Sequence, residues 1–228
     1  MNEEDPPIRD GGTPWVFSAS SIDGMSWFPG SRVPLFGDGS GECQVARAGP
    51  GGTHLVMLAR SQRRGTAPMG DDANGTLEHS VLFSSDGGRN WSTPTRLHDM
   101  PGTNCEASIV SLPPVSVASS VEDPKPQDNW TLLATAPSNV RVHDDRGGLL
   151  RAGLAMYASN DALGWQRIAT IDANASAYSS LLVLPTNCSS HEGRCETEVL
   201  CLYEAGHGQT HDAPYGSIRL ARSSFPRV

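Results

Sequence analysis

The sequence predicts an all-β fold of short strands, on three observations. Brief apolar runs recur along the whole chain, turn residues separate them, and one turn motif repeats. Gly and Pro together fill 41 of the 228 positions, which breaks the chain too often for long amphipathic helices. A coiled coil or helical bundle is thereby excluded. Apolar residues still make up 37 % of the chain, so a core can form. The length suits one domain or a large piece of one.

The runs, in order, are PWVFSAS, HLVMLAR, HSVLFSS, SIVSLPP, WTLLATA, LAMYAS, SLLVLP, EVLCLYE and SIRLARS. Each is rich in Val, Leu, Ile or aromatic residues, the composition of strands. Regular spacing of this kind reads as a sandwich, barrel or propeller. The stretch 117–128, VASSVEDPKPQD, is polar and Pro-bearing and reads as a surface insertion.

The repeat separates these options. Ser84-Ser85-Asp86-Gly87-Gly88-Arg89-Asn90-Trp91 follows the run VLF. Shorter versions, Ser21-Ile22-Asp23-Gly24-Met25-Ser26-Trp27 and Ser159-Asn160-Asp161-Ala162-Leu163-Gly164-Trp165, follow WVFSAS and LAMYA. The chemistry is that of a hairpin turn: Asp accepts from turn amides, Gly supplies positive φ, and Trp packs the turn onto its sheet. The motif resembles the Asp box (BNR repeat) of β-propellers, which is a structural element and by itself implies no enzyme. The aspartates are 63 and 75 residues apart. That spacing implies three to four blades in this chain, whereas a six-bladed ring at about 50 residues per blade needs about 300.

Charge and cysteines bound the setting. The formal charge is −8, and the basic residues are 16 Arg and one Lys, Lys125. Net negative charge without a basic stripe argues against nucleic acid as a partner. No run of about 18 apolar residues exists to span a membrane as a helix. Five of nine asparagines lie in Asn-x-Ser/Thr sequons: Asn74, Asn90, Asn129, Asn174 and Asn187. Chance predicts roughly one or two, so a secretory route, lysosomal or extracellular, is expected. Cys188 and Cys195 would close a hairpin disulfide there, while Cys43, Cys105 and Cys201 read as buried thiols. The opening MNEEDPPIRDGG has no apolar leader, so Met1 is expected not to be the natural start.

Between the turns stand polar residues that a core would not choose. They are Glu42 in Gly41-Glu42-Cys43-Gln44, Arg60 ending HLVMLAR, and Arg151 in Arg151-Ala152-Gly153-Leu154 before the third turn. Tyr178 in Tyr178-Ser179-Ser180-Leu181 and Glu204 in Leu202-Tyr203-Glu204 complete the set. Read singly, each has a bland account: an exposed Glu on a strand end, an Arg reaching solvent, a Tyr entering a core strand. Taken in order, they resemble the C-terminal half of the sialidase (neuraminidase) family, from about Arg9 to the C-terminus. The resemblance implies a six-bladed propeller of the sialidase type. It implies Tyr178 as nucleophile, Glu42 as its partner, Arg60 and Arg151 in the carboxylate-binding triad, and Glu204 bracing the first triad arginine. Arg141 and Arg146 compete with Arg151, whose offset from the turn motif favours it. Arg63 and Arg64 read as solvated. The segment Asn104-Cys105-Glu106-Ala107-Ser108-Ile109 resembles a structural strand of the family.

Physical chemistry supports the set independently. A sialic acid carries a carboxylate on its anomeric carbon, which a planar guanidinium grips through two charge-assisted hydrogen bonds. That carboxylate repels an anionic nucleophile. A phenol avoids the repulsion but, with a pKa of about 10, needs a base such as Glu42 beside it. The resemblance implies retaining hydrolysis of terminal α-linked sialic acids from glycoproteins, gangliosides and oligosaccharides, with no metal or organic cofactor.

Two family elements are absent from the sequence. No Arg-Ile-Pro motif supplies the first triad arginine, since Ile8-Arg9-Asp10 lacks the Pro, and Asp5 and Asp10 are poor substitutes for the Asp acid/base. The chain is therefore expected to be a truncated product of an active enzyme, weakened on the order of 10²–10⁴-fold for want of acid assistance. Two alternatives remain open: a non-catalytic sialic-acid-binding module, and an Asp-box scaffold with no sugar site.

Overall fold

The computed structural model describes residues 16–33, 41–48, 54–60, 77–103, 105–112, 131–139, 150–185, 187–188, 195–207 and 213–227. The stretch 117–128, Asn74, Asn129, Arg63, Arg64, Arg141, Arg146 and the segment holding Asp5, Arg9 and Asp10 lie outside the described residues. The fold is all-β. Strands β1 (Val16–Ser20) and β2 (Phe28–Val33) form a ribbon. A four-stranded antiparallel sheet follows in chain order: β3 (Cys43–Arg47), β4 (Leu55–Ala59), β5 (Leu77–Ser84) and β6 (Thr95–Gly102). The next sheet runs β7 (Ser108–Leu112), β8 (Thr131–Pro137), β9 (Ala152–Ser159) and β10 (Gln166–Val183). It continues through β12 (Cys195–Ala205), which also pairs with β11 (Asn187–Cys188) and β13 (Ser217–Arg227). No helix of the described residues is long and apolar enough to cross a membrane.

All nine apolar runs of the sequence fall in strands, and the inner ones are buried on both faces. In β4, Val56 and Leu58 pack with Val81, Ile109, Leu132 and Tyr157, while Met57 and Ala59 pack with Val33 and Leu82. In β9, Ala155 and Tyr157 join the first of these clusters; Leu154 and Met156 join a separate one with Leu181, Val199 and Tyr203. Side chains alternate across a strand, so a sheet sandwiched between two neighbours needs apolar residues at every position. That explains the unbroken runs.

Strand β10 changes partner midway. Gln166–Ala175 pairs with β9, and Ser176–Val183 pairs with β12. Register shifts at Thr170/Asp172, Asp172/Ala175 and Ser176/Ser179 bend it, as bulges do. Asp172 pins the bend. Its carboxylate accepts from the Asn174 amide at 2.9 Å, Tyr203 Oη at 3.2 Å and Arg219 Nη1 at 3.0 Å.

The three Ser-x-Asp turns share one geometry. Asp23, Asp86 and Asp161 accept from Ser26, Asn90 and Gly164 amides at 2.7, 2.9 and 2.9 Å. Ser21, Ser84 and Ser159 hydroxyls accept from Gly24, Gly88 and Ala162 amides at 2.8, 2.9 and 2.9 Å. Trp91 and Trp165 indoles close their turns on the Gly88 and Ala162 carbonyls. Trp27 differs from expectation and stays 63 % exposed, because the two-stranded ribbon offers it no broad face.

Gly24, Gly87 and Gly88 take the positive φ of these turns; in the third turn Ala162 takes it, at 63°, with its methyl fully buried. Ala162→Gly should therefore be near neutral. Relief of about 1 kcal/mol of left-handed strain offsets about 0.8 kcal/mol of lost methyl burial. Ala162→Val should cost more than about 2 kcal/mol through overpacking and a β-branched residue at positive φ. Urea denaturation of both variants checks this.

The cysteines fall as expected in part. Cys105 and Cys201 are buried and Cys43 half-buried, all three as free thiols. The β11–β12 register sets Cys188 opposite Cys195 in the backbone ladder.

Candidate active site

Four strand ends and the bend of β10 bring the five sequence-nominated residues together. Glu42 immediately precedes β3 and Arg60 immediately follows β4, and the Arg60 amide donates to the Glu42 carbonyl at 3.0 Å. The ladder therefore sets the two side chains side by side. Arg151 precedes β9, with its carbonyl accepting from the Ser176 amide at 2.9 Å. Tyr178 lies inside the Ser176/Ser179 register shift of β10, where a bulge re-aims a side chain off the ladder. Glu204 lies on the neighbouring β12.

Tyr178 Oη donates to Glu42 Oε1 at 2.7 Å, across 136 residues of sequence. Arg60 Nη1 pairs with the other carboxylate oxygen, Glu42 Oε2, and lies 3.3 Å from Tyr178 Oη. The Arg151 guanidinium stands 5.3 Å from the centre of the Tyr178 ring. Arg151 Nη1 donates to Tyr215 Oη at 2.8 Å. Glu204 Oε2 accepts from the Tyr178 backbone amide at 3.3 Å, so here it holds the Tyr178 strand. The resemblance had implied a brace on an arginine.

The electrostatics assign protons. Burial pushes Glu42 up, but hydrogen bonds from Arg60 and Tyr178 and the charges of Arg60 and Arg151 outweigh it and hold the carboxyl below its usual range. Burial, reinforced by the Glu42 bond and charge, lifts the Tyr178 phenol above its ordinary value; Arg151 and Arg60 oppose this. At neutral pH the pair is a phenol donating to a carboxylate. Cys105, close enough to feel Arg151, Arg60, Glu42 and Glu204, is pushed by burial up to about 12 and stays a neutral thiol.

A polar chain fixes the sheets that carry this pair. Gln44 Oε1 accepts from Ser108 Oγ at 2.8 Å, and Ser108 Oγ accepts from the Leu181 amide at 2.9 Å. Thr135 and Ser179 hydroxyls meet at 2.8 Å. Gln44 Nε2 also donates to Glu106 Oε1 at 3.0 Å. Burial, together with the Glu42 charge, lifts the Glu106 carboxyl despite that bond. Glu106, Tyr178, Ser180, Tyr203 and Glu204 line a shallow depression of about 270 Å³. A larger hollow of about 460 Å³ adjoins the Asp86 turn, but neither arginine nor tyrosine lines it.

Sequence reasoning missed Glu106, Tyr215 and the Gln44–Ser108 link. Glu106 and Ser108 sit in a segment read as structural; Tyr215 lies in a short turn before β13 and belongs to none of the motifs.

Three solved structures share this arrangement of strands. NanB bound to Optactamide aligns at TM-score 0.54 and 13 % identity, covering 95 % of this chain and 27 % of NanB. The NanB sialidase of Streptococcus pneumoniae with a chlorobenzylammonio ethanesulfonate aligns at TM-score 0.51 and 11 % identity, covering 92 % and 27 %. A point mutant of the same NanB sialidase aligns at 0.53 and 13 %, covering 92 % and 27 %. The fold is sialidase-like. The chain spans about a quarter of the length of these sialidases, and at such identity the likeness speaks to fold alone. No family model and no curated protein matches the sequence.

Proposed function

We propose that this chain supplies the nucleophile, the base and part of the carboxylate clamp of a retaining exo-α-sialidase. The substrates would be terminal α-linked sialic acids of glycoproteins, glycolipids and oligosaccharides. The observation that carries the reading is the 2.7 Å hydrogen bond from Tyr178 Oη to Glu42, flanked by Arg60 and Arg151. In this reading Tyr178 Oη attacks the anomeric carbon and passes its proton to Glu42 as the glycosidic C–O bond breaks. The arginines hold the sugar carboxylate and stabilise the flattened transition state. Water then hydrolyses the glycosyl–tyrosine with net retention. The leaving oxygen needs an acid that none of the five residues supplies. The strand groups β1–β2, β3–β6, β7–β10 and β10–β12–β13 would be blades of a six-bladed ring, with Asp boxes at the three turns.

The test is hydrolysis of a fluorogenic sialoside by the full chain, with the anomer of the first product followed by NMR. Glu42→Gln should lower kcat on the order of 10²–10⁴-fold. Because Glu42 is held below its ordinary 4.5, the rate should fall with acid only once pH drops below that value. A rate insensitive to Glu42→Gln would remove the base from this scheme.

One observation favours a second reading, a binding module that cleaves nothing. Arg60 pairs directly with Glu42 and weakens it as a base, while the phenol it must deprotonate is harder to ionise than usual. Binding of sialosides without turnover, in the wild-type chain, selects that reading.

The five sequons support a secretory route, lysosomal or extracellular, as part of this reading. Asn90 and Asn174 are exposed. A mass loss on glycosidase treatment of protein from eukaryotic cells tests it.

A further inference from the structure

We propose that Tyr215 is a positioning residue that holds the Arg151 guanidinium ready for a substrate carboxylate, an inference that rests on the sialidase reading. Arg151 Nη1 donates to Tyr215 Oη at 2.8 Å, while its guanidinium stands 5.3 Å from the centre of the Tyr178 ring. Two tyrosines from different elements thus set where the cation sits. A phenol suits this task because it accepts from a guanidinium without cancelling its charge, whereas a carboxylate would compete for the incoming anion.

Tyr215 can do this because its own backbone is anchored. It ends the 3₁₀ turn Ala213–Tyr215, in which Ala213 and Pro214 are buried and Tyr215 is exposed. Gly206 lets the turn dock against the end of β12: a Cβ there would lie 1.5 Å from the Ala213 carbonyl oxygen. The Gly206 amide donates to the Ala175 carbonyl at 2.9 Å, and Ser217 Oγ donates to the Ala205 carbonyl at 3.1 Å. The turn is thereby tied to β10 and β12, which carry Tyr178 and Glu204. The phenol projects from a fixed platform, and fixing a long side chain in advance removes an ordering cost that binding must otherwise meet.

The experiment uses the full chain and two probes: the methyl α-glycoside of N-acetylneuraminic acid, and the same glycoside with its carboxylate esterified. Affinities are read by calorimetry or ligand-observed NMR, and folding by thermal melting. Tyr215→Phe keeps the ring and removes only the hydroxyl, so the melting temperature should hold. It should weaken binding of the free acid roughly tenfold, the scale of a charge-assisted hydrogen bond, and leave the ester unchanged. Selectivity for acid over ester should fall accordingly. Unchanged affinity for the acid, or equal losses for acid and ester, overturns the positioning role while the sialidase reading stands. A wild-type chain that binds neither probe overturns both.

Discussion

Tyr178→Phe should abolish turnover of a fluorogenic sialoside while leaving the fold and the affinity for sialosides nearly intact. The substitution removes one oxygen, the atom that donates to Glu42 Oε1 at 2.7 Å. The ring that remains still faces Arg151 at 5.3 Å, and the backbone amide still bonds Glu204. Apart from the Oη contacts with Glu42 and Arg60, the surroundings of the ring are retained, and in the proposed scheme the bond to the anomeric carbon is lost. Loss of a covalent nucleophile costs a factor on the order of 10³ or more in kcat. The measurement is kcat beside Kd for the same sialoside. An unchanged kcat would show that another group attacks; a large loss of affinity would show that the phenol serves binding. Glu42 should also titrate higher in the variant, since the Tyr178 bond is one of the contacts that hold it down.

The second large effect concerns stability in acid. His79 is fully buried in β5, and neither ring nitrogen makes a hydrogen bond of good geometry, the Ala59 backbone offering only a weak one. Burial, with the charge of Arg60 adding and the Ala59 backbone opposing, brings it from 6.5 down to about 4. The unfolded chain therefore binds a proton near pH 6.5 that the folded chain refuses until about pH 4. Stability should fall through that window as pH drops, by roughly 3 kcal/mol in total, and this group should contribute no slope above or below it. His79→Leu removes the titration and two poorly satisfied buried nitrogens. It should flatten the curve between pH 6.5 and 4 and hold or raise stability at pH 7. Urea midpoints at pH 7 and 4.5 for both proteins decide it. Parallel losses in the two proteins would assign the acid lability to other groups.

The strands most plainly legible in sequence are those buried on both faces, although the exposed β13 also carries a legible run, SIRLARS. HLVMLA in β4 and LAMYAS in β9 read as apolar runs because each lies between two packed neighbours. Two exposed stretches were not legible. β6, TRLHDMPG, buries only Leu97, Met100 and Gly102, and the first five residues of β10, QRIAT, are all exposed. A strand with one solvated face and a free edge carries no unbroken apolar signal, so β10 was read from Ser180 onward and its first fourteen residues were missed.

The site divides in the same way. Tyr178, Glu42, Arg60, Arg151 and Glu204 could be nominated because the short motifs that hold them, taken in order, resemble those of the sialidase family. Their mutual geometry could not be read, nor could Tyr215 or the Gln44–Ser108–Leu181 chain. Those contacts join residues 64 to 136 positions apart. Only sheet packing brings such residues together.

By itself, then, the sequence determined the all-β class and the three Asp turns. These are local matters, set by side-chain periodicity and by hydrogen bonds within a few residues, whereas the candidate site residues were nominated by a family resemblance. Tertiary structure decided that Arg60 faces Glu42, that Glu204 holds the Tyr178 backbone, and that a phenol steadies Arg151. Those outcomes depend on where β10 bends and how the sheets face one another. Burial and long-range packing govern both, and neither is encoded at any single position.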